Sequence, residues 1–279
     1  METLRRKNDG WTTYQVRKIA GISIRRVNQV YSQYLRTGRV PCIGQQVGRP
    51  KRPIANEEKN AVKLTFEKYS VSASTLARVI EREFGMRINH NRIHRILLEL
   101  GFAKSKDKKD KRKKDWIRYE RRHSLTAVHI DWYFDARARI WVFAVIDDAS
   151  RKLLALLEVD SPTVDASIRG MKVALQYGGI RQCISDHGTQ FTSNTGGDSK
   201  FKAFLDEHRI QQILCKIKHP QTNGKVEKFF DLYKNKRVIF SKKEDFEQWY
   251  NEVLPHRSLN FEVLETPHQA FMRKMPAEA

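Results

Sequence analysis

The stretch TAVHIDWYFDARARIWVFAVIDDASRKLLALLEV, residues 126–159, decides the fold. It contains three apolar runs, 126–134, 139–147 and 153–159, and a few polar residues separate each run from the next. Runs of this length favour strands when they are rich in β-branched and aromatic residues, and breaks this short leave room only for tight connections. The sequence therefore predicts a meander of three antiparallel strands.

The residues after the meander alternate between helix and strand. We predict a helix over 163–177 and a fourth strand in CISDHGTQF, residues 183–191. A helix near 199–209 and a fifth strand, QILCKI at 212–217, come next, and a further helix begins near Asn223. Three antiparallel strands followed by alternating helix and strand are typical of an α/β RNase H-like fold with a mixed five-stranded sheet.

Charge divides the chain near residue 122. Residues 1–122 contain 31 Lys and Arg against 12 Asp and Glu, whereas residues 123–279 contain 22 against 20. A basic region of this size is typical of proteins that bind a polyanion, most often nucleic acid. No apolar run is long enough to span a bilayer. We therefore expect a soluble cytoplasmic protein that is associated with the nucleoid and has no membrane partner.

The cysteines and histidines give little support for a structural metal or disulfides. Cys42, Cys183 and Cys215 are widely separated and odd in number, which fits neither a disulfide framework nor a Cys-x-x-Cys site. His90 and His94 stand four residues apart on a predicted helix, as zinc ligands can, but no cysteine pair lies near them. We expect a reducing compartment and no zinc.

Two helical units occupy the basic region. Residues 12–36 are predicted to form two helices around a break at 20–23. A second unit follows in 55–100, with helices near 57–68 and 74–84 and a third helix after them. Simple helix packing is the alternative for either unit alone, but two units in series on a basic region favour helix-turn-helix domains that bind DNA. The predicted DNA contacts on these helices are Arg25, Arg26, Asn28, Gln29, Asn91, Arg92 and Arg95.

Two basic connections flank the second unit. In VGRPKRP, residues 47–53, the prolines exclude helix, and the stretch resembles the Gly-Arg-Pro arms that lie in the DNA minor groove. The alternative is that the stretch is a plain linker, and a linker could also lie in the minor groove. We add Arg49, Lys51 and Arg52 to the predicted DNA contacts. Residues 104–122 carry eleven Lys or Arg against four acids and are predicted to follow DNA phosphates.

The sequence thus predicts a multidomain protein, with all-α helix-turn-helix units in front of the α/β domain. Its predicted parts are a helix-turn-helix domain with its arm at 1–52, a second, winged-helix-like domain at 53–103, a basic linker at 104–124 and an RNase H-like core with C-terminal helices at 125–279.

Three acids lie in or next to predicted strands and a predicted helix of the core. Asp131 interrupts the first strand, Asp186 ends the fourth, and Glu227 lies near the start of the helix after the fifth. On that helix an apolar stripe at i, i+3, i+4 and i+7 from Val226 must face the core, and Glu227 lies along its flank. The three carboxylates converge if this helix packs beside those strands.

Other acids have competing interpretations. Asp135 is the alternative to Asp131 on the first strand, and Asp231 is the alternative to Glu227 on the helix. Asp147 and Asp148 lie at a strand end, where we favour turn formation over metal binding.

Four successive motifs resemble those of the DDE transposases and retroviral-type integrases. They are HIDW at 129–132, FAVIDDASR at 143–151, SDHGTQF at 185–191 and HPQTNGKVEKF at 219–229. The paired helical units in front of the core resemble the insertion-sequence branch of that family, so the resemblance covers nearly the whole chain. One departure is the 41-residue separation of Asp186 and Glu227, longer than is usual there, which an insertion in SNTGGDSK, residues 193–200, would explain.

The resemblance implies a site and a reaction. Asp131, Asp186 and Glu227 would each ligate metal and together hold two Mg²⁺ ions, or Mn²⁺ in their place. The reaction would be metal-dependent cleavage and strand transfer at the terminal inverted repeats of a mobile DNA element. Its partners would be double-stranded DNA, both element ends and target, and further copies of this chain assembled on DNA. The lysines predicted to grip the transferred strand are Lys225, Lys228 and Lys234, with solvated helix charges as the alternative.

Three other functions are alternatives to an active transposase. A DNA-binding regulator derived from a transposase, without activity, is the main alternative. An RNase H-like nuclease would share the metal site but gives no reason for two DNA-binding units. A tyrosine recombinase needs a His-x-x-Arg motif, and the sequence contains none.

Overall fold

The computed structural model describes residues 2–41, 52–104, 120–192, 199–215 and 224–276. Packing divides the chain into two compact units, Met1–Pro53 and Ile54–Ala279. The predicted DNA contacts Arg49 and Lys51 lie outside the described residues, as does most of the predicted basic linker. In the part of the chain that the structure describes, no helix is long and apolar enough to cross a membrane.

The first unit is helical in its described part. Its helices are α1 (Glu2–Asn8), α2 (Thr13–Ala20) and α3 (Ile24–Thr37). The break between α2 and α3 has the predicted chemistry: Gly21 ends α2 with a φ of 63°, and the Ser23 hydroxyl accepts from the Arg26 N–H to begin α3. The sequence did not predict α1, which packs against both other helices and buries Leu4.

Three further helices open the second unit: α4 (Asn56–Tyr69), α5 (Ala73–Phe84) and α6 (His90–Glu99). Their shared core buries Leu76, Ile80, Ile93 and Ile96. Each of the three lies close to a predicted helix, because the apolar residues recur at helical spacing and Gly85, with a φ of 65°, stops α5.

This helical region packs directly against the C-terminal part of the same unit. The Trp249 Nε1–H donates to the Lys68 carbonyl at 3.1 Å, and Lys236 Nζ donates to Ser70 Oγ at 2.6 Å. Leu264 is buried between these two regions. The helices of residues 56–99 and the sheet therefore share one compact unit.

The sheet has five strands in the order β3-β2-β1-β4-β5. The strands are β1 (Ala127–Asp135), β2 (Ile140–Asp147), β3 (Leu153–Val159), β4 (Gln182–Ser185) and β5 (Gln211–Leu214). The first three pair antiparallel, β4 runs parallel to β1, and β5 runs parallel to β4. This mixed sheet, preceded by helices, confirms the predicted RNase H-like fold.

Helices cover both faces of the sheet. On one face α7 (Val164–Leu175) and α8 (Lys200–Glu207) pack against alternate residues of β1 and β2. On the other face lies α9 (Gly224–Lys236), whose predicted apolar stripe is buried with Val142, Ala144 and Ile146 of β2. The remaining elements are a 3₁₀ turn (Arg237–Ile239), α10 (Lys243–Gln248), a π turn (Trp249–Val253) and α11 (Pro267–Arg273).

Gly170 lies where α7 packs on β2, and it gives a test of this packing. A Cβ added at Gly170 would come within 2.4 Å of Cε1 of Phe143, whose ring is fully buried. Helix propensity favours alanine by about 1 kcal/mol, but overpacking costs about 1–3 kcal/mol. Because the Phe143 ring is fully buried, we take the upper part of this overpacking range and expect Gly170→Ala to lower the free energy of unfolding by about 1–2 kcal/mol in chemical denaturation.

Gly179→Ala is the matched control, because a Cβ there meets nothing within 4 Å. Its free energy of unfolding should stay within about 0.5 kcal/mol of wild type. A Gly170→Ala protein as stable as this control would contradict the described packing of α7 on β2.

Candidate active site

Asp131 and Asp186 lie on neighbouring strands at matching positions. In the parallel pairing of β1 and β4, His129 stands opposite Ile184. Continuing this register by two residues places Asp131 opposite Asp186, immediately after the last residue of β4. Neighbouring strands lie about 4.8 Å apart. The two carboxylates therefore start from adjacent points of the backbone.

Both positions belong to the face of the sheet that α9 covers. Along β1, Ile130 and Trp132 pack into the core beneath α7, whereas Tyr133 packs with α9. Because strand side chains alternate between faces, Asp131 shares the face of Tyr133. Across the β1–β4 pair, Ile184 is buried with Ala127 of that same face, and Asp186 follows Ile184 by two residues.

The third carboxylate reaches this region from α9. Glu227 lies in the first turn of that helix and is exposed, while its neighbour Val226 is fully buried against the sheet. Helix α9 packs against both β1 and β2. Helix α9 therefore packs beside β1, the strand that carries Asp131.

Cys215 lies close enough to the three carboxylates for their charges to affect its thiol. Cys215 follows β5 directly, and its N–H donates to the Ser185 carbonyl at 2.9 Å. Burial, together with the charges of Asp186, Asp131 and Glu227, raises the pKa of the Cys215 thiol to about 11. All three carboxylates thus lie within electrostatic reach of a single side chain. The only sequence feature that pointed to this position was the predicted fifth strand, 212–217, which contains it.

A tight turn follows Asp186 and explains why this strand ends on an acid. The Gly188 N–H donates to Asp186 Oδ1 at 2.8 Å, and His187 Nε2 donates to the Cys215 carbonyl at 2.8 Å. Asp131 is oriented in a similar way, because its Oδ1 accepts from the Trp132 N–H at 2.8 Å. Backbone hydrogen bonds to these carboxylates limit the directions in which they point.

The donor set fits hard divalent cations. Among the described residues, no three His, Cys, Asp or Glu side chains lie close enough to form a metal-binding group. Asp131, Asp186 and Glu227 therefore do not form a closed ligand group in the described part of the chain. Mg²⁺ prefers oxygen ligands and is usually held by one or two carboxylates together with water and substrate phosphates. The oxygen donors of these three carboxylates match that preference in type.

The neighbouring acids Asp147 and Asp148 have different roles. Asp147 forms the predicted turn: its carboxylate accepts from the N–H groups of Leu125 at 2.7 Å and Ser150 at 2.8 Å, and burial raises its pKa. Asp148 is also buried but contacts His129 and Lys225. Burial alone would raise the pKa of Asp148, yet the hydrogen bonds from His129 and Lys225 hold it well below its usual range. The sequence did not predict this second cluster.

The competing acids on β1 and α9 have local partners. Asp135 Oδ1 accepts from the Arg137 N–H at 3.0 Å in the β1–β2 turn. Asp231 is exposed and pairs with Lys228 at 3.1 Å. Neither acid is among the carboxylates that act on Cys215.

The predicted DNA contacts of α3 form one exposed polar surface. Arg26 Nη1 donates to Gln29 Oε1 at 2.9 Å, and Asn28 Oδ1 accepts from the Thr13 hydroxyl at 3.2 Å. All four side chains on this helix are exposed: Arg25, Arg26, Asn28 and Gln29. Elsewhere, Arg95 is half-buried, and the exposed predicted contacts are Arg52, Asn91, Lys228 and Lys234.

Two predicted DNA contacts are instead held in ion pairs inside the protein. Arg92 makes two hydrogen bonds to Glu58, at 2.9 and 2.5 Å, and each side chain is only 17% exposed. Lys225 pairs with buried Asp148 and is 14% exposed. A phosphate would have to displace these carboxylates, which is unfavourable for buried pairs. We therefore remove Arg92 and Lys225 from the DNA-binding surface.

Comparisons with known proteins point to the same part of the chain. Residues 121–220 match the family model described as the integrase core domain. The chain is 27% identical over 154 residues to "Putative integrase ORF3" of Spiroplasma virus SpV1-C74, a match that covers 47% of this chain and 42% of that protein. This chain thus spans less than half the length of that relative.

A solved structure, the catalytic core domain of BIV integrase, matches with a TM-score of 0.43 and 13% identity. That match covers 53% of this chain and 95% of the other. The family model spans all five strands, with Asp131 and Asp186, and ends before Glu227. Residues 121–220 of this chain are therefore similar to the integrase core domain.

Proposed function

We propose that this protein is a transposase that binds the terminal inverted repeats of a mobile DNA element and transfers its ends into target DNA. The integrase core domain supports a role in DNA processing of the integrase or transposase type. The observation that supports the finer proposal is the register of β1 and β4, which puts Asp131 opposite Asp186, together with Glu227 in the first turn of α9, a helix that packs on β1. Three carboxylates from two strands and one helix are the ligand set that metal-dependent phosphoryl transfer requires.

The protein's part in this chemistry is to hold the ligands in place. The pairing of β1 with β4 supports this role for Asp131 and Asp186, and the burial of the α9 stripe against the sheet supports the same role for Glu227. Two Mg²⁺ or Mn²⁺ ions, when bound, would stabilise the attacking and leaving oxygens of the phosphodiester. The attacking groups are a water for cleavage and then the freed 3′-hydroxyl for transfer. No side chain needs to act as the nucleophile in this scheme.

DNA binding is assigned mainly to the helical parts of the chain. We propose helix-turn-helix domains at 1–52 and 53–103, the basic linker at 104–124 and catalysis at 125–279. The proposed contacts are Arg25, Arg26, Asn28, Gln29, Arg52, Asn91, Arg95, Lys228 and Lys234, together with Arg49 and Lys51 outside the described residues. In cells such a protein would be associated with the nucleoid.

The α3 surface gives a test of sequence-specific binding. Arg25→Ala combined with Arg26→Ala removes two exposed charges with little effect on packing. We expect affinity for terminal-repeat DNA to fall about tenfold or more and the slope of log affinity against log salt to decrease by about two. Fluorescence anisotropy over a salt series measures both quantities.

Lys200→Ala combined with Lys202→Ala is the control, because it removes the same charge from exposed positions of α8. It should change end binding far less than the α3 variant. Equal losses in the two double variants would mean that only net charge matters and would contradict a specific role for α3.

Strand joining tests the proposed function. The full chain is incubated with Mg²⁺, labelled DNA that carries the element's ends, and a supercoiled plasmid. We expect cleavage at the 3′ ends and covalent transfer of label to the plasmid, both abolished by a chelator. Specific binding of the ends without cleavage, in Mg²⁺ and in Mn²⁺, would instead identify a DNA-binding regulator.

A further inference from the structure

A buried ionic cluster lies next to the candidate active site and is centred on Asp148. The Asp148 side chain is 1% exposed. Asp148 Oδ1 accepts from His129 Nε2 at 2.7 Å and also from Lys225 Nζ, while Oδ2 accepts from the Arg121 N–H at 2.6 Å. His129 is fully buried and Lys225 nearly so. Asp148 is thus joined to three separate segments of the chain.

The partners of Asp148 belong to the elements that carry the proposed metal ligands. His129 precedes Asp131 by two residues on β1, and Lys225 precedes Glu227 by two residues in the first turn of α9. One carboxylate oxygen therefore binds both β1 and α9. Arg151 and Glu120, which pair with each other at 3.1 Å, and Asp147 also act electrostatically on this cluster.

Apolar packing alone does not specify where the first turn of α9 lies along the sheet. The stripe of Val226, Phe229 and Phe230 holds the helix on the sheet, but the hydrophobic effect is non-directional. A charge-assisted hydrogen bond has defined donor and acceptor positions and so fixes both distance and direction. The Lys225–Asp148 pair supplies such a bond one turn or less from Glu227.

We propose that Asp148 is a positioning residue that, through Lys225, fixes the first turn of α9 against β1 and so aims Glu227 at Asp131 and Asp186. The inference rests on the proposed function, because it gives Glu227 its role. Turn formation, which the sequence predicted for both acids, explains the contacts of Asp147 but not the buried contact of Asp148 with Lys225.

The test compares Lys225→Met with Lys225→Arg in the full chain. Methionine fills a similar volume without charge, whereas arginine keeps the charge and a donor for Asp148. Lys200→Met is the matched control, since Lys200 also pairs with a carboxylate on another element, Asp165, but on the exposed surface. If Lys225→Met does not unfold cooperatively, Lys225→Gln keeps a neutral donor and serves in the same comparison.

Hydrogen exchange of the metal-free protein measures how firmly the first turn of α9 is held, independently of catalysis. We expect Lys225→Met to speed exchange of the amides of residues 228–230 by about tenfold or more, with the amides of β1 and β2 unchanged. Strand transfer should fall about tenfold or more, and Lys225→Arg should recover much of both properties. Lys200→Met should match wild type.

The outcomes separate this inference from the proposed function. Exchange in the first turn of α9 equal to wild type in Lys225→Met would overturn the positioning role. Faster exchange together with full strand transfer would also overturn the positioning role, because the function of Glu227 would then not depend on the position of this turn. A wild-type protein that transfers no strand, while Lys225→Met still loosens this turn, would refute the transposase and leave the structural role of Asp148 intact.

Discussion

Asp131→Asn, Asp186→Asn and Glu227→Gln should each reduce DNA cleavage and strand transfer by at least about a thousandfold, since loss of a metal ligand removes several kcal/mol of transition-state stabilisation. Binding to terminal-repeat DNA should stay nearly unchanged. Each amide has the shape of the acid that it replaces, and none of the three acids is fully buried, so the core stays packed. Gel assays of cleavage and joining, run beside anisotropy measurements of end binding, give both quantities.

Asp231→Asn is the matched control on α9. Asp231 is exposed and pairs with Lys228, so its amide variant should keep appreciable activity. Asp135→Asn serves the same purpose on β1. An inactive Asp231→Asn protein beside an active Glu227→Gln protein would show that the helix ligand has been assigned to the wrong acid.

Two variants with different defects should restore strand transfer when they are mixed. The proposed function requires at least two copies to act together, because a mobile element has two ends and each chain supplies one set of the three proposed carboxylates. Symmetric homo-oligomers are the usual solution. The chain with Arg25→Ala and Arg26→Ala keeps its carboxylates but binds ends poorly, whereas Asp186→Asn binds ends but lacks a metal ligand. If one copy binds an end and another cuts it, the mixture combines both capacities.

Joining by the mixture should therefore exceed the sum of the two variants assayed separately. A second mixture, Asp186→Asn with Glu227→Gln, is the control, because neither chain has a complete site and no activity should return. Failure of the first mixture under conditions in which wild type joins ends would show that each copy cuts only the end that it binds.

The sequence predicted the features that depend on local pattern. The three strands of residues 126–159 appear within a residue or two of their predicted limits, because alternation and short polar breaks are properties of neighbouring residues. The apolar stripe of α9 was predicted for the same reason, and it is buried as expected. The register that sets Asp131 beside Asp186 became visible only in the paired strands.

Features that depend on distant residues were not predicted. The contact of Asp148 with Lys225 joins positions 77 residues apart, and neither residue type is expected in a buried site from pattern alone. The pairing of Arg92 with Glu58 likewise turned a predicted DNA contact into a link between α4 and α6. Helical periodicity indicated which side chains leave the apolar face, but it does not indicate which of them meet a partner from another element.

Manganese binding to the protein–DNA end complex tests most directly the claim that Asp131, Asp186 and Glu227 form one metal site. Electron paramagnetic resonance counts free Mn²⁺, and the DNA end alone supplies the background that phosphates bind. We predict that the wild-type complex takes up two ions above this background and that each of the three amide variants loses at least one, whereas Asp231→Asn keeps both. Uptake by Asp186→Asn and Glu227→Gln equal to that of wild type would contradict the account.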